Sequence, residues 1–426
     1  MEIPSLTTMI TINIFEKTIR FDVTGIIYGG ISMKKNVALL VGKLTGGGAE
    51  KIAANLSLQL SVKYNIYIFV YNETKNTYSH KGKVIKVESN TSKNIFGKAY
   101  YLYKRVNNLK KLKKKFKIDI TISFLDHANF LNIFSRYNDK VLISEHNYIN
   151  ADKGNLSKRG AFFRFFYNRA DEIVVVSKGI KNNLINNFNI NPTKITNIYN
   201  SFEIKKINRL SQKTIENKYN DIFNNPCIIN VGSLSKQKGQ WFLIRIFKLV
   251  KEEILDVKLV ILGQGSMEEY LKNLTNKLNL EDDVYFLGFK DNPYKYIRNS
   301  DVFAFTSLFE GFGNVLIESM ASGTPVISTD CKHGPREIMT NEILEKKLKD
   351  VEYTKYGVLT PVFSNKILNY DDQFTEQEIK YSKALIKILK DENLRKDFIN
   401  NQQNIMNKFD LTKISKKWEE LIEFNL

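Results

Sequence analysis

The chain has 426 residues, 43% hydrophobic and 26% charged, which is enough for two or three globular domains with sizeable cores. Its two cysteines, Cys227 and Cys331, lie far apart outside any C-x-x-C pair; this argues against a disulfide framework or structural zinc and fits a reducing, cytoplasmic setting. The 64 Lys and Arg residues against 45 Asp and Glu, formally +19, favour polyanions or an anionic membrane surface.

Residues 1–32 hold acidic residues and a short apolar patch, Val23–Tyr28. They lack the basic start, continuous apolar core and cleavage site of a signal peptide. They are expected to be an appendage, disordered or a start-site artefact, because Met33-Lys34-Lys35 before an apolar strand looks like a natural chain start. From there, apolar runs at Val37–Val41, Ile66–Val70, Ile118–Phe124, Lys140–Ser144 and Ile173–Val176 read as buried parallel strands. Helical stretches such as Ala49–Val62 and Phe162–Arg169 lie between them, which predicts right-handed βαβ units.

Between Lys98 and Lys117 the chain carries Lys98, Lys104, Arg105, Lys110, Lys111, Lys113, Lys114, Lys115 and Lys117 with no acid, interleaved with Tyr100, Tyr101, Tyr103 and Phe116. The spacing predicts a basic amphipathic helix. It is either a solvated face or a dock for anionic lipid, on the inner face of the cell membrane. No run of 18 apolar residues is present to span a bilayer.

Residues 201–225 are polar and aperiodic and read as a linker. The alternation then restarts with strands at Cys227–Val231, Lys258–Leu262, Val284–Leu287, Val302–Phe305 and Pro325–Ser328, and helices at Trp241–Lys251, Met267–Lys277 and Asn314–Ala321. From about Glu376 only helices are expected. The division is therefore 1–32, 33–205 and 206–426, two α/β sheets with a helical tail whose last helix is expected to cross back to the first domain. Open α/β sheets bind ligands at the carboxyl ends of their strands, so the chemistry is sought in the strand-end loops.

The first such loop is Gly42-Lys43-Leu44-Thr45-Gly46-Gly47-Gly48-Ala49-Glu50. A tight turn explains it as well as a phosphate at the helix start, and it is neither a dinucleotide fingerprint nor a Walker loop. After Val231, the segment Gly232-Ser233-Leu234-Ser235-Lys236-Gln237-Lys238-Gly239 places Lys238 at a strand-end loop, where a lysine can act as a point charge on phosphate; taken alone, an exposed loop lysine explains it better. Gly263-Gln264-Gly265 is another strand-end segment that either a turn or a close ligand approach explains. The most informative segment is Glu310-Gly311-Phe312-Gly313-Asn314-Val315-Leu316-Ile317-Glu318. Its glycines open a helix whose first N–H groups suit phosphate; singly, Glu310 reads as a helix-start acid and Glu318 as an exposed helix acid, but as a pair beside such a loop they favour accepting from sugar hydroxyls.

Together, Gly-Gly-Ala-Glu at 47–50, Gly-x-Leu-x-x-x-Lys-Gly at 232–239, the 310–318 segment and Ala-Ser-Gly-Thr-Pro-Val-Ile-Ser at 321–328 resemble family 4 of the retaining GT-B glycosyltransferases, over residues 34–424. Asn292-Pro293-Tyr294 and Gly334-Pro335-Arg336-Glu337-Ile338 are similar to bacterial members that build lipid-linked oligosaccharide, capsule or lipopolysaccharide. The resemblance implies two Rossmann-like domains facing across a cleft, an N-terminal acceptor domain and a C-terminal nucleotide-sugar donor domain. Gly47 and Gly48 would approach the diphosphate or acceptor, and Lys238 would neutralise the leaving group. Glu310 would hold the transferred sugar, Glu318 the ribose, and Gly311, Phe312, Gly313 and Asn314 the phosphate. Ser233 stands where the family usually has arginine, which weakens the phosphate clamp unless Lys236 or Arg336 compensates.

His127, in Leu125-Asp126-His127, and His146, in Ser144-Glu145-His146, follow two strands of the first domain. Each is an ordinary loop histidine or a contact near the reacting sugar, and a Ser-Glu-His segment in similar proteins favours His146. Asp126 and Glu145 join them as cleft candidates. His333 can simply pack beside Cys331.

The expected function is a hexosyl or N-acetylhexosaminyl transfer from a nucleotide-sugar, a UDP-sugar, to a glycan or lipid-linked glycan. No Asp-x-Asp triplet occurs, so no metal and no other cofactor is expected. A noncatalytic nucleotide-sugar- or polyanion-binding protein is the alternative, with Ser233 its best support. A nucleic-acid binder has only the charge in its favour.

Overall fold

The computed structural model describes residues 9–14, 17–22, 34–45, 47–72, 77–87, 94–147, 158–342 and 347–426. The chain divides into two compact units, Met1–Lys35 and Asn36–Leu426. In the first, β1 (Met9–Ile14) and β2 (Lys17–Asp22) form an antiparallel hairpin with Met9 opposite Asp22. The apolar patch Val23–Tyr28 and Met33 lie outside the described residues.

The second unit holds two seven-stranded sheets. The first contains β3 (Asn36–Val41), β4 (Asn65–Val70), β5 (Lys83–Lys86), β6 (Ile120–Phe124), β7 (Lys140–Glu145), β8 (Glu172–Val175) and β9 (Ile195–Asn197) in the order β5-β4-β3-β6-β7-β8-β9, all parallel. Its central strands read as unbroken apolar runs because helices cover both faces; Val37, Leu39 and Val41 are fully buried with Ile122 and Phe124. The second contains β10 (Cys227–Val231), β11 (Lys258–Leu262), β12 (Val284–Gly288), β13 (Val302–Phe305), β14 (Val326–Thr329), β15 (Glu352–Thr354) and β16 (Gly357–Thr360) in the order β12-β11-β10-β13-β14-β16-β15. Only β15 runs antiparallel. In each sheet the chain order reverses beside the first strand, at β3/β6 and β10/β13. These switch points are where open α/β sheets leave a crevice.

Three helices end the chain: Glu376–Lys390, Glu392–Met406 and Leu411–Asn425. The first opens with a capping box, Thr375 with Glu378, whose carboxylate also takes the fully buried Arg245 at 2.6 Å. The last lies on the first domain, with the Trp418 ring 6.4 Å from that of Phe124. Phe202 N–H donates to Phe409 O and Leu411 N–H to Phe202 O, both at 2.9 Å, so the tail is stitched to the chain where it leaves the first sheet.

Three expectations change. Part of the linker 201–225 is the helix Ile204–Ser211 with Ile207 and Ser211 buried, because one well-spaced apolar position suffices once a neighbouring helix covers it. Strands β5, β9, β15 and β16 were not legible, being three or four residues long and, except for β16, largely polar. The basic run does form a helix, Ile95–Lys115, but two of its charges turn inward. Lys113 is buried against Asp139 at 2.8 Å, and Arg105 is buried beside His127 and the Tyr71 ring. The other seven remain exposed.

Candidate active site

The motif loops occupy the two switch points. In the second sheet, the turn after β10 carries Lys238, and the turn after β13 carries Glu310 through Gly313. Main-chain bonds zip them together: Leu308 N–H donates to Gln237 O at 2.9 Å, and the Thr306 hydroxyl to Lys238 O at 3.0 Å. Lys238 Nζ therefore meets Glu310 Oε1 at 2.5 Å, with Glu310 only 7% exposed. Gly313, at φ +87, takes the left-handed turn that caps the helix Asn314–Ser322, a conformation a side chain would strain. In the first sheet, the turn after β3 leads through Gly47 into the helix Gly48–Leu60.

The two glycine loops meet. A Cβ on Gly48 would lie 2.9 Å from Asn314 Nδ2, so two helix N-termini, one per domain, converge with their positive dipole ends, and the Glu50 carboxylate packs against Gly47 at the first of them. Asn200 Nδ2 donates to Asn314 Oδ1 at 2.7 Å. The Tyr199 ring stacks on Phe312 at 5.4 Å. Gly311 abuts the main chain of His146, since a Cβ there would lie 1.8 Å from the His146 carbonyl oxygen. Gly47, Gly48, Lys238, Glu310, Gly311, Phe312, Gly313, Asn314 and His146 thus line one seam.

His146 is half-buried, its ring 5.8 Å from Phe124 and its Nε2 3.0 Å from Ser144 Oγ; burial lowers its pKa to about 4, so the ring is neutral at pH 7. Glu145 is fully buried. Burial and then the Asp126 charge hold its carboxyl well above the usual range, while it accepts from Tyr167 OH at 2.6 Å and Asn147 N–H at 2.9 Å. Asp126 begins the helix Asp126–Phe134, and the adjacent His127 lies 2.9 Å from Arg105; desolvation, then that guanidinium, lower its pKa. These four residues cluster at the carboxyl ends of β6 and β7. Glu145 acts on the loop rather than at the cleft surface, because its bonds go to Tyr167 and the Asn147 backbone.

Ser233 is exposed, its hydroxyl 3.4 Å from that of Ser235. Arg336, expected as one residue that could compensate for the missing arginine, already has carboxylate partners. The residue is 7% exposed, and its guanidinium pairs with Asp330 at 2.9 Å and Glu352 at 2.8 Å.

Several seam residues escaped the sequence reading. Lys51 Nζ reaches Glu318 Oε1 at 2.8 Å and Tyr294 OH at 3.0 Å. Burial opposes the Lys51 charge, but Glu318 and Tyr294 outweigh it and raise its pKa. Glu337 accepts from Lys178 N–H at 2.9 Å and from Tyr199 OH at 2.7 Å. His333, at φ +65, faces Gly179. Lys51 carried no signal beyond following Gly-Gly-Ala-Glu, Tyr294 and Glu337 lay inside motif segments without a role, and His333 was expected only to pack beside Cys331.

The arrangement defines a class: two doubly wound domains with phosphate-type loops meeting at their switch points are the GT-B glycosyltransferase architecture. Solved structures agree: the Anabaena protein HepE in complex with UDP superposes with a TM-score of 0.68 at 18% identity, covering 92% of this chain and 100% of that one. The lipopolysaccharide-biosynthesis glycosyltransferase WaaG superposes at 0.65 and 15%, covering 91% and 99%. Residues 46–206 match the family described as Glycosyltransferase Family 4, and residues 211–349 the family described as Glycosyl transferases group 1. An uncharacterized glycosyltransferase of Methanocaldococcus jannaschii is 37% identical, over 84% of this chain and 92% of that protein. The N-acetylgalactosamine-N,N'-diacetylbacillosaminyl-diphospho-undecaprenol 4-alpha-N-acetylgalactosaminyltransferase of Campylobacter jejuni is 31% identical, over 90% and 98%. The chain therefore belongs to the family 4 GT-B glycosyltransferases.

Proposed function

We propose that the protein transfers a hexosyl or N-acetylhexosaminyl residue from a UDP-sugar to a lipid-linked glycan, retaining the anomeric configuration and needing no metal. The observation that carries this reading is the convergence of the Gly48 and Asn314 helix N-termini beside the Lys238–Glu310 pair. That is a preorganised cradle for a diphosphate with a carboxylate beside it for sugar hydroxyls. The sugar–phosphate bond breaks with its electron pair going to the phosphate oxygen. The acceptor hydroxyl oxygen bonds the anomeric carbon and gives its proton to the departing diphosphate. Lys238 and the two helix ends stabilise the charge that develops there. Glu310 holds the sugar, Glu318 the ribose, and the neutral His146 offers a hydrogen bond beside the reacting carbon. The name of the Campylobacter relative supports an acceptor on a diphospho-undecaprenol carrier, and the exposed lysines of the helix Ile95–Lys115 support a site of action at an anionic membrane face. The test is a panel of UDP- and GDP-sugars, first for thermal stabilisation and then for turnover on polyprenyl-diphosphate-linked glycans. A protein stabilised by UDP-sugars that turns none of them over is a binding protein and not an enzyme.

A further inference from the structure

Glu318, the residue assigned above to the ribose, is bonded from the opposite domain. One of its oxygens, Oε1, receives the Lys51 ammonium at 2.8 Å and the Tyr294 hydroxyl at 3.2 Å. Lys51 and Tyr294 also touch each other at 3.0 Å. Lys51 lies in the first turns of the helix Gly48–Leu60, Tyr294 begins the short helix Tyr294–Arg298, and Glu318 is in the helix Asn314–Ser322. The bridge thus ties the N-terminal glycine loop to the donor domain where the two helix starts meet. It is sheltered on the carboxylate side, with side-chain exposures of 37% for Lys51 and 16% for Glu318.

We propose that Lys51 is a cross-domain clamp that competes with the ribose hydroxyls of the nucleotide for Glu318; the proposal rests on the ribose role of Glu318. Without a nucleotide, the ammonium satisfies the carboxylate and holds the seam. A nucleotide whose hydroxyls donate to Glu318 displaces it, so binding and release of the bridge are linked, each weakening the other equally. The clamped population lowers apparent nucleotide affinity by the fraction it withholds. Lys51 is a positioning residue in this scheme, since it acts on the substrate site through Glu318.

The experiment is calorimetric titration of UDP and 2′,3′-dideoxyuridine diphosphate into the parent protein, Lys51→Met, Lys51→Arg and Glu318→Gln, with small-angle scattering of each unliganded protein. The clamp predicts that Lys51→Met binds UDP at least threefold more tightly. The dideoxy analogue, which offers Glu318 no hydroxyls, should show no such gain. Lys51→Arg, which keeps the bridge, should resemble the parent, and unliganded Lys51→Met should have the larger radius of gyration. Unchanged or weaker UDP binding by Lys51→Met, or an equal gain for the dideoxy analogue, overturns the clamp. Should Glu318→Gln bind UDP as tightly as the parent, or the parent bind none, the ribose reading itself fails.

Discussion

Gly311 lies so close to the main-chain carbonyl of His146 that a Cβ at position 311 would come within 1.8 Å of its oxygen. Ordinary contact needs about 3.5 Å. Both contacting groups are backbone, so neither can swing aside. Gly311→Ala must therefore open the seam between the domains while leaving both sheets intact. The expected outcome is a folded protein whose transfer rate falls at least tenfold, about 1.4 kcal/mol of lost transition-state stabilisation. Circular dichroism beside turnover checks it. Activity within threefold of the parent would mean that closure at this point does not matter.

Lys238 and Glu310 form one unit, bonded at 2.5 Å with Glu310 largely buried. Each of Lys238→Ala and Glu310→Ala should cut transfer at least tenfold, about 1.4 kcal/mol. Lys238→Ala also strands a carboxylate, which costs about 1–3 kcal/mol of stability when a buried polar group loses its partner. The double variant should then be less destabilised than the sum of the singles. Additive losses in urea unfolding would show that the two side chains act independently. Glu318→Ala should instead chiefly weaken binding of the free nucleotide.

The limits of the sequence reading follow from the same residues. Buried parallel strands are continuous apolar runs, so Cys227–Val231 and Lys258–Leu262 could be read to the residue. The glycine loops were legible because backbone approach needs glycine wherever it occurs. Pairings across the seam were not legible. Lys51 and Glu318 are 267 positions apart, and nothing local distinguishes Lys51 from other helix lysines. The partners of Arg336 were equally hidden: its place in the segment 334–338 suggested a charge for phosphate and gave no sign of the pairs it makes with Asp330 and Glu352.

Burial lowers the pKa of His146 from 6.5 to about 4. Between these values the unfolded chain takes up a proton here that the folded chain refuses. The stability contribution is thus fully present above pH 6.5 and is lost as pH falls towards 4, amounting to up to about 3 kcal/mol. Urea unfolding of the parent and His146→Asn across this window isolates the contribution of the ring, because other titrating groups cancel in the difference. The variant should lose less stability on acidification. Parallel pH profiles would mean that the ring titrates normally in the folded state.

Transfer should persist in excess chelator. The chain has no Asp-x-Asp triplet, and among the described residues no three His, Cys, Asp or Glu side chains gather as ligands for an ion. In the proposed reaction, neutralising the leaving diphosphate is the task of Lys238 and the converging helix ends. Loss of turnover in EDTA, restored by magnesium or manganese, would show that an ion does this work.

The helix Ile95–Lys115 presents two kinds of lysine, and liposome binding should separate them. Lys110, Lys111, Lys114 and Lys115 are exposed. Phe96, Tyr100 and Tyr103, on the same helix, are 88%, 59% and 67% exposed. A lysine near an anionic surface contributes about 1 kcal/mol, so four together, with aromatic rings for the interface, can hold the protein there without an anchor. Replacing those four with glutamine should reduce binding to anionic liposomes at least tenfold while leaving stability and transfer to a soluble acceptor unchanged. The binding of the parent should itself fall as salt screens the charges. Lys113 behaves differently: it is buried against Asp139 at 2.8 Å and donates to Asn132 Oδ1 at 2.8 Å. Lys113→Gln leaves Asp139 uncompensated in the interior and should destabilise the fold by about 3–5 kcal/mol with no specific effect on lipid binding. Cosedimentation with vesicles and urea unfolding of the two variants read these effects separately. If the fourfold variant cosediments as well as the parent, the run is only a solvated face, and the protein must find its acceptor by other means.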